Sequence, residues 1–269
     1  MKKKRLIPIV LLRNGWVVQS KGFHEYKNLG NPFMSVKRLS EWASDELIYL
    51  DITRDGEYDL RRDDLRDPNR HDILEIIEDV SKMACMPITF GGRIRTIQDI
   101  EKRLFRGADK ISINTQALRE PSFITNAAKE FGAQCIVVSI DAKLENGKYI
   151  VMAEGGKVPT KYEASEWAKI VENYGAGEIL INSIDRDGKK SGFEIPLLCS
   201  VADAVHIPVI GCGGAGAWEH FGEVFDETRV DAVAAANIFQ HVDQSVHLAK
   251  KYLYDHNYPV RPPEFFEVS

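Results

Sequence analysis

Short apolar runs recur eight times along the chain and alternate with segments of helical periodicity. Between the runs, apolar residues return at helical spacing, as at Ile73, Ile76, Ile77 and Val80. Strands buried on both faces and separated by amphipathic helices are typical of a parallel sheet covered by helices. Eight such units predict one (β/α)8 TIM barrel of the α/β class spanning residues 1–269. The predicted strands cover residues 6–12, 46–53, 87–92, 110–114, 135–142, 178–185, 208–214 and 232–237.

The second half of the chain repeats the first. The pair Gly213-Gly214 follows Gly91-Gly92 by 122 residues, and two Arg-Asp-Gly tripeptides are 132 residues apart. This self-similarity predicts two fused half-barrels. The extra residues of the first half fall in the highly charged segment 54–72, after the second strand. We expect a solvated loop there, with a lid over a substrate or a partner contact as the alternative, because loops after barrel strands form the active face.

Composition narrows the class of protein. The chain is 44% apolar and 28% charged, with a net charge of −5. It has no apolar run near the roughly 20 residues of a membrane helix and no basic footprint for a nucleic-acid backbone. We therefore expect a cytoplasmic protein with no membrane or nucleic-acid partner. The four cysteines lack paired spacing and predict buried free thiols, and the histidines lack ligand spacing, so neither a metal nor a cofactor is expected.

Small residues gather where the predicted strands end. A glycine pair follows strands three and seven, and the small polar ends Asn114-Thr115 and Ala236-Asn237 follow strands four and eight. Glycine lets a backbone approach a phosphate closely, and free N–H groups at a helix start supply donors. Glycines also occur in turns that bind nothing. Their recurrence on opposite sides of a barrel predicts a substrate with two phosphate groups.

Strand five ends in Asp141, a carboxylate at the barrel mouth that can act as a general acid or base. A helix cap or loop anchor is the alternative reading for one aspartate at a strand end. The repeat-related position on strand one is Leu11, which cannot move a proton.

These segments together resemble a known family, the cyclase subunit of imidazole glycerol phosphate synthase, HisF, over essentially the whole length. The resemblance is carried by DELIYLDIT, GADKISIN, FGAQCIVVSIDAK, GAGEILINSIDRDGKKSG and GGAGAWEHF. In that family the barrel binds a ribulosyl bisphosphate intermediate and uses ammonia from a glutaminase to cleave it and close the imidazole ring. The resemblance implies that Asp141 is one of two catalytic aspartates. It further implies one phosphate site at Gly92, Asn114 and Thr115, and another at Asp187, Gly188, Gly213, Gly214, Ala236 and Asn237.

The main departure from the family concerns proton transfer. Leu11 stands where the resemblance expects the other catalytic aspartate. Losing such a group commonly costs about 10²- to 10⁴-fold in rate. Efficient ring closure is therefore not expected unless another carboxylate, such as Asp51 or one in segment 54–72, moves into place. The other departures are Gln19 for a basic residue, Arg93 for a third glycine, Asn182 for a threonine, and Cys212 and Asn237 for serines.

The opposite end of the barrel keeps its charges. Arg5, Glu46, Lys110 and Glu178 lie at or just before strand starts, so their side chains can converge on the lower opening. The resemblance matches them to a salt-bridged gate through which ammonia enters, and Asp109 to a position that contacts the glutaminase and activates it. A ring of ion pairs that only stabilises the barrel is the alternative.

A retained gate beside an altered mouth suggests a divergent member of the family. Our main hypothesis is a subunit that docks a HisH-like glutaminase as a heterodimer and receives ammonia through the barrel. It would serve the amidation or amidination of a phosphorylated surface-polysaccharide sugar, with a sugar amidotransferase as a further candidate partner. A working cyclase of histidine biosynthesis is one alternative. A non-catalytic activator of a glutaminase is the other.

Overall fold

Eight parallel strands form a closed barrel in the computed structural model, which describes residues 3–54, 70–241 and 243–265. Each strand pairs in parallel with the next, and the last pairs with the first, so the eight strands close into a ring. The predicted (β/α)8 barrel is thereby confirmed. The barrel strands are β1 Arg5–Arg13, β2 Leu47–Asp51, β3 Ile88–Gly91, β4 Lys110–Ile113, β5 Ile136–Glu145, β6 Glu178–Ser183, β7 Val209–Cys212 and β8 Ala232–Ala235.

Helices cover the outside of the barrel. The second helix shows why the sequence forms them: the Asp72 carboxylate caps its start by accepting from the N–H groups of Leu74 and Glu75 at 2.8 and 3.0 Å. Its apolar residues at helical spacing are all buried against the barrel, as their periodicity predicts. The helices are α1 Pro32–Glu41, α2 Ile73–Met83, α3 Ile97–Phe105, α4 Thr115–Arg119, α5 Ser122–Phe131, α6 Ala164–Asn173, α7 Ile195–Ala202, α8 Glu219–Glu227, α9 Ile238–His241 and α10 Ser245–Asp255.

Two antiparallel hairpins extend the barrel sheet at its mouth, and the sequence analysis missed both. Strands Trp16–Lys21 and Glu25–Gly30 continue from β1, and strands Lys148–Ala153 and Val158–Glu163 continue from β5. Because β1 and β5 are repeat-related, the hairpins extend the twofold pattern. Both leave the carboxyl ends of their strands, so they flank the mouth.

Side chains alternate between the outer layer and the barrel interior along each strand. Most of the interior is apolar and includes Ile7, Ile9, Ile48, Leu180 and Ile210. One sector differs, because β3, β4 and β5 carry the buried hydroxyl residues Thr89, Ser112 and Ser139 at inward positions. The interior is thus apolar on one side and lined with hydroxyl groups on the other.

The fold bears on three expectations from the sequence: the charged segment, the cysteines and membrane helices. The charged segment 54–72 falls mostly outside the described residues, since 55–69 are not among them. All four cysteines are free, but the expectation that they are buried is wrong for three. Cys212 is buried, whereas Cys85 is exposed and Cys135 and Cys199 are partly exposed. Within the described ranges, no helix is long and apolar enough to cross a membrane.

Candidate active site and lower gate

Asp141, at an inward-facing position of β5, is held between two carboxamides. The Asn114 Nδ2 group donates to Asp141 Oδ2 at 2.7 Å, and the Asn182 Nδ2 group donates to Asp141 Oδ1 at 3.3 Å. Asp141 is only 8% exposed. The family resemblance implies a phosphate site at Asn114. The structure puts its side chain on the candidate catalytic carboxylate instead, and adds Asn182 as a second partner.

Burial controls the acidity of this carboxyl group. It raises the pKa of Asp141 to about 6, although the hydrogen bonds from Asn182 and Asn114 oppose the rise. The negative charge of Asp187 adds to the increase. A carboxyl group that exchanges its proton near neutral pH is suited to general acid–base chemistry.

The opposite position on β1 holds no second acid. Leu11 pairs in register with Leu50 of β2 and with Val18 of the first hairpin. Asp51, the suggested substitute, lies opposite Leu12 in the register, and its Oδ1 accepts from the backbone N–H of Thr53 at 2.9 Å. Successive strand residues face opposite sides of the sheet, so Asp51 does not share the inward face of Leu11.

The glycines at the two predicted phosphate sites occupy backbone conformations that L-residues rarely adopt. Gly92 has φ +96°, and a methyl group built on it would lie 2.0 Å from the carbonyl oxygen of Asp51. Gly214, in the other half, has φ +104° and the same clearance of 2.0 Å from the oxygen of Gly192. Gly213 also has a positive φ, of 98°. Close packing of neighbouring loops thus requires these glycines, and their contact with phosphate stays a prediction.

Residues of the second predicted phosphate site hold the first hairpin over the mouth. The Asn237 side-chain amide donates to the backbone oxygen of Ser20 at 2.8 Å. Ser20 Oγ donates to Asp187 Oδ2 at 3.3 Å, and the Gly22 N–H donates to the backbone oxygen of Asp187 at 3.4 Å. Burial raises the pKa of Asp187, while hydrogen bonds from Ser20 and from the amides of Phe23 and Gly22 oppose the rise.

The remaining predicted mouth residues lie around this cluster. Gly188 lies under the hairpin, since a methyl group built on it would lie 2.9 Å from Lys21 Cα. Ala236 packs against the apolar interior of the barrel. Thr115, the first residue of α4, accepts from the backbone N–H of Glu154 in the second hairpin at 3.4 Å. Both hairpins are therefore tied to loops that the repeat predicts to bind substrate.

The four charged residues at the lower end form a closed ring. Arg5 Nη1 lies 2.5 Å from Glu46 Oε1, and Arg5 Nη2 lies 2.6 Å from Glu178 Oε1. Lys110 Nζ lies 2.9 Å from Glu46 Oε2 and 3.0 Å from Glu178 Oε2. The glutamates are nearly buried, at 9% and 6% side-chain exposure, whereas the two cations are each 20% exposed. Four charged side chains thus meet at the lower end of the barrel.

The ion pairs of this ring shift the pKa values of Arg5, Lys110 and Glu46 toward the charged forms. Burial disfavours the charges of Arg5 and Lys110, but Glu178 and Glu46 outweigh it and raise the pKa of both cations. Burial likewise opposes ionisation of Glu46, yet Arg5 and Lys110 lower its pKa. Since each residue contacts two opposite charges, the ring is electrically balanced.

Asp109 lies on the lower face beside the ring, directly before Lys110. Asp109 is exposed, and its Oδ2 atom accepts a hydrogen bond from the backbone N–H of Ile88 at 2.8 Å. Asp45 and Asp231 make equivalent bonds to Leu6 and Val209 at 2.8 and 3.2 Å. An aspartate at this position therefore fixes the start of the preceding strand, whatever further contact Asp109 makes.

Comparison with known proteins agrees with this geometry. Residues 5–244 match the family described as "Histidine biosynthesis protein". The chain is 42% identical over 262 residues to a protein of Hydrogenobaculum sp. (strain Y04AAS1) named imidazole glycerol phosphate synthase subunit HisF, and the match covers 97% of this chain and 100% of that relative. In the described part of the chain, no three His, Cys, Asp or Glu side chains group as metal ligands. The chain belongs to the HisF family of histidine-biosynthesis barrels.

Proposed function

We propose that this chain is the ammonia-accepting subunit of a glutamine-dependent complex. A HisH-like glutaminase docks on its lower face as a heterodimer and releases ammonia into the barrel. The acceptor is a phosphorylated sugar-like molecule of surface-polysaccharide synthesis, which is amidated or amidinated. The observation that carries the proposal is the asymmetry between a complete ring of charges at the base and a mouth with one acid–base residue opposite Leu11.

The ring supports a gate because one of its members can leave without breaking the others. Arg5 bridges Glu46 and Glu178 on its own through two different nitrogens. Lys110 bridges the same two carboxylates through a single flexible ammonium group. Movement of Lys110 would therefore open the aperture while Arg5 still balances part of the glutamate charge. The exposure of both cations, at 20%, makes them reachable by a docked partner.

The interior supports passage of a small neutral amine. Above the ring, Thr89, Ser112 and Ser139 place hydroxyl groups on neighbouring strands at the level below Asn114 and Asp141. Hydroxyl groups both donate and accept hydrogen bonds, as ammonia does. The apolar remainder of the interior disfavours a charged ammonium ion.

The mouth supports addition of a nitrogen nucleophile assisted by one proton-transfer group. Asp141 exchanges a proton near neutral pH and is oriented by two amides. Leu11 supplies no second group for the paired acid–base steps that the family uses in ring closure. A condensation that needs one general acid or base fits this arrangement best.

Glutaminase stimulation tests the docking step. The purified chain is mixed with HisH-type glutaminases, and glutamine hydrolysis is followed as glutamate release. We expect the chain to raise hydrolysis at least tenfold and Asp109→Asn to remove most of that rise. Asp203→Asn, an exposed aspartate at the end of α7, is the matched control and should behave as wild type. If no glutaminase from the same genome is stimulated, the docking proposal is wrong.

A working cyclase is the second candidate, and the 42% identity with HisF over the full relative favours it. The test supplies the ribulosyl bisphosphate intermediate and an ammonium salt to the purified chain. If wild type consumes the intermediate and Asp141→Asn does not, the chain is a working cyclase, and the proposal of a surface-polysaccharide acceptor is wrong. No consumption, together with a phosphate-dependent rise in melting temperature, would favour the divergent role and count against a pure scaffold.

A further inference from the structure

Asn182, on β6, presents a buried acceptor atom that no other group of the described chain satisfies. Its Nδ2 group donates to Asp141, but its Oδ1 atom has no hydrogen-bond partner although it is buried. A buried acceptor without a donor costs about 1–3 kcal/mol. Native proteins keep such atoms rarely, and strain, a catalytic role or a bound water, ion or ligand explains them.

The neighbours of Asn182 fix the direction of this oxygen. An ionised Asp141 accepts only, so the NH₂ end of the Asn182 amide must face it and Oδ1 must point away. The oxygen lies beside Gly213, since a methyl group built there would lie 2.9 Å from it. In the strand register, Asn182 lies between Asp141 of β5 and Cys212 of β7. Burial, together with the charge of Asp187, raises the pKa of the Cys212 thiol. The amide therefore spans the gap between Asp141 and Gly213.

The chemistry of this position selects its ligand. An acceptor oxygen repels phosphate oxygens but binds a hydroxyl or amino hydrogen. The threonine that the family resemblance places here is shorter, whereas the longer asparagine amide reaches both Asp141 and Gly213. A ligand whose phosphate lies at Gly213-Gly214 would thus meet Asn182 with the next polar group along its carbon chain.

We propose that Asn182 is a specificity-determining residue whose Oδ1 accepts a hydrogen bond from a hydroxyl or amino group of a phosphorylated sugar, between the phosphate and the atom served by Asp141. The inference rests on the proposed function in one respect, namely that the ligand carries a phosphate group. It adds the requirement that a donor follow that phosphate toward the reacting centre.

Affinity for two probes tests this role. Ribose 5-phosphate carries hydroxyl donors next to its phosphate group, and inorganic phosphate has no attached carbon chain. Titration calorimetry would measure both with wild type, Asn182→Leu and the control Asn126→Leu, the same replacement at an exposed position of α5. We expect Asn182→Leu to weaken the binding of ribose 5-phosphate roughly 10- to 100-fold, because one buried hydrogen bond is lost. The affinity for inorganic phosphate should change less than twofold. Asn126→Leu should change neither affinity.

Each other outcome has a defined meaning. Equal weakening of both probes would show that Asn182 only shapes the phosphate site and would overturn the inference, as would no change in either affinity. In both cases the proposed function would stand. If wild type binds inorganic phosphate but not ribose 5-phosphate, the sugar-donor contact is wrong. If wild type binds neither probe, the phosphate site of the proposed function fails as well. An equilibrium unfolding curve for Asn182→Leu confirms that the variant is folded.

Discussion

Ionisation of Asp141 should destabilise the folded chain, and the size of the effect follows from its burial. The pKa of this carboxyl group rises from 3.8 to about 6 on folding. Because 1.36 kcal/mol corresponds to one pKa unit, the difference is worth about 3 kcal/mol. The folded state binds the proton more tightly than the unfolded state does. The protonated carboxyl therefore contributes its full stabilisation below pH 3.8, and this contribution is lost as the pH rises through about 6.

The substitution Asp141→Asn isolates this contribution. Asparagine has nearly the same shape and stays uncharged, so it removes the titration and leaves the other ionising groups common to both proteins. The free energy of unfolding of the variant minus that of wild type should grow by about 2 kcal/mol between pH 4 and pH 7.5, because part of the full difference is already lost at pH 4, and then level off. Urea unfolding at several pH values measures both quantities. A difference that stays constant within about 1 kcal/mol across that range would refute the argument that burial dominates the acidity of Asp141.

Three further predictions address the ring, the glycine loops and the hairpin. Lys110→Met should cost about 1–3 kcal/mol in urea unfolding because both partner carboxylates lose a cation, and adding Glu178→Gln should recover part of it by restoring the charge balance. Gly214→Ala should lower the free energy of unfolding by about 3 kcal/mol or more. Gly147→Ala should lower it by about 1 kcal/mol, because Gly147 also has a positive φ but a methyl group built on it would meet no other atom. Equal losses for the two glycines would contradict the packing argument. Asn237→Ala should speed amide hydrogen exchange in residues 16–30, since the bond to Ser20 is lost, and unchanged exchange there would show that the hairpin is held by other contacts.

The barrel was predictable because its signals are local and repeated. Eight apolar runs and the amphipathic helices between them lie within short windows of sequence, and most strand ends agree with the structure within two residues. The hairpins after β1 and β5 gave no comparable signal. The strand Glu25–Gly30 alternates exposed and half-buried residues over its first four positions, and none of its six residues is fully buried. Its stability comes from pairing with its neighbour, which periodicity does not report.

The candidate site was predictable where a residue type alone implies a position. Charges at strand starts indicated the ring, and Leu11 at the end of strand one indicated the missing acid. The amide pair around Asp141 depends on the register of three strands, which aligns Asn182 with Asp141. The bond from Asn237 to Ser20 joins residues 217 positions apart. Contacts of that kind follow from closure of the barrel and have no signature within a sequence segment.

The two ends of the barrel carry functional information of different strength because their charges contribute to stability with opposite sign. In the ring, every ion contacts two opposite charges, so the folded state alone gives a reason to keep all four. Asp141 differs, because burial disfavours its charge and folding would be easier with a neutral residue there. A group that destabilises the fold and yet is oriented by two amides is best explained by chemistry at the mouth. Stimulation of a glutaminase is therefore the result that separates a gate from a purely structural ring, whereas the burial and orientation of Asp141 favour an enzyme over a scaffold.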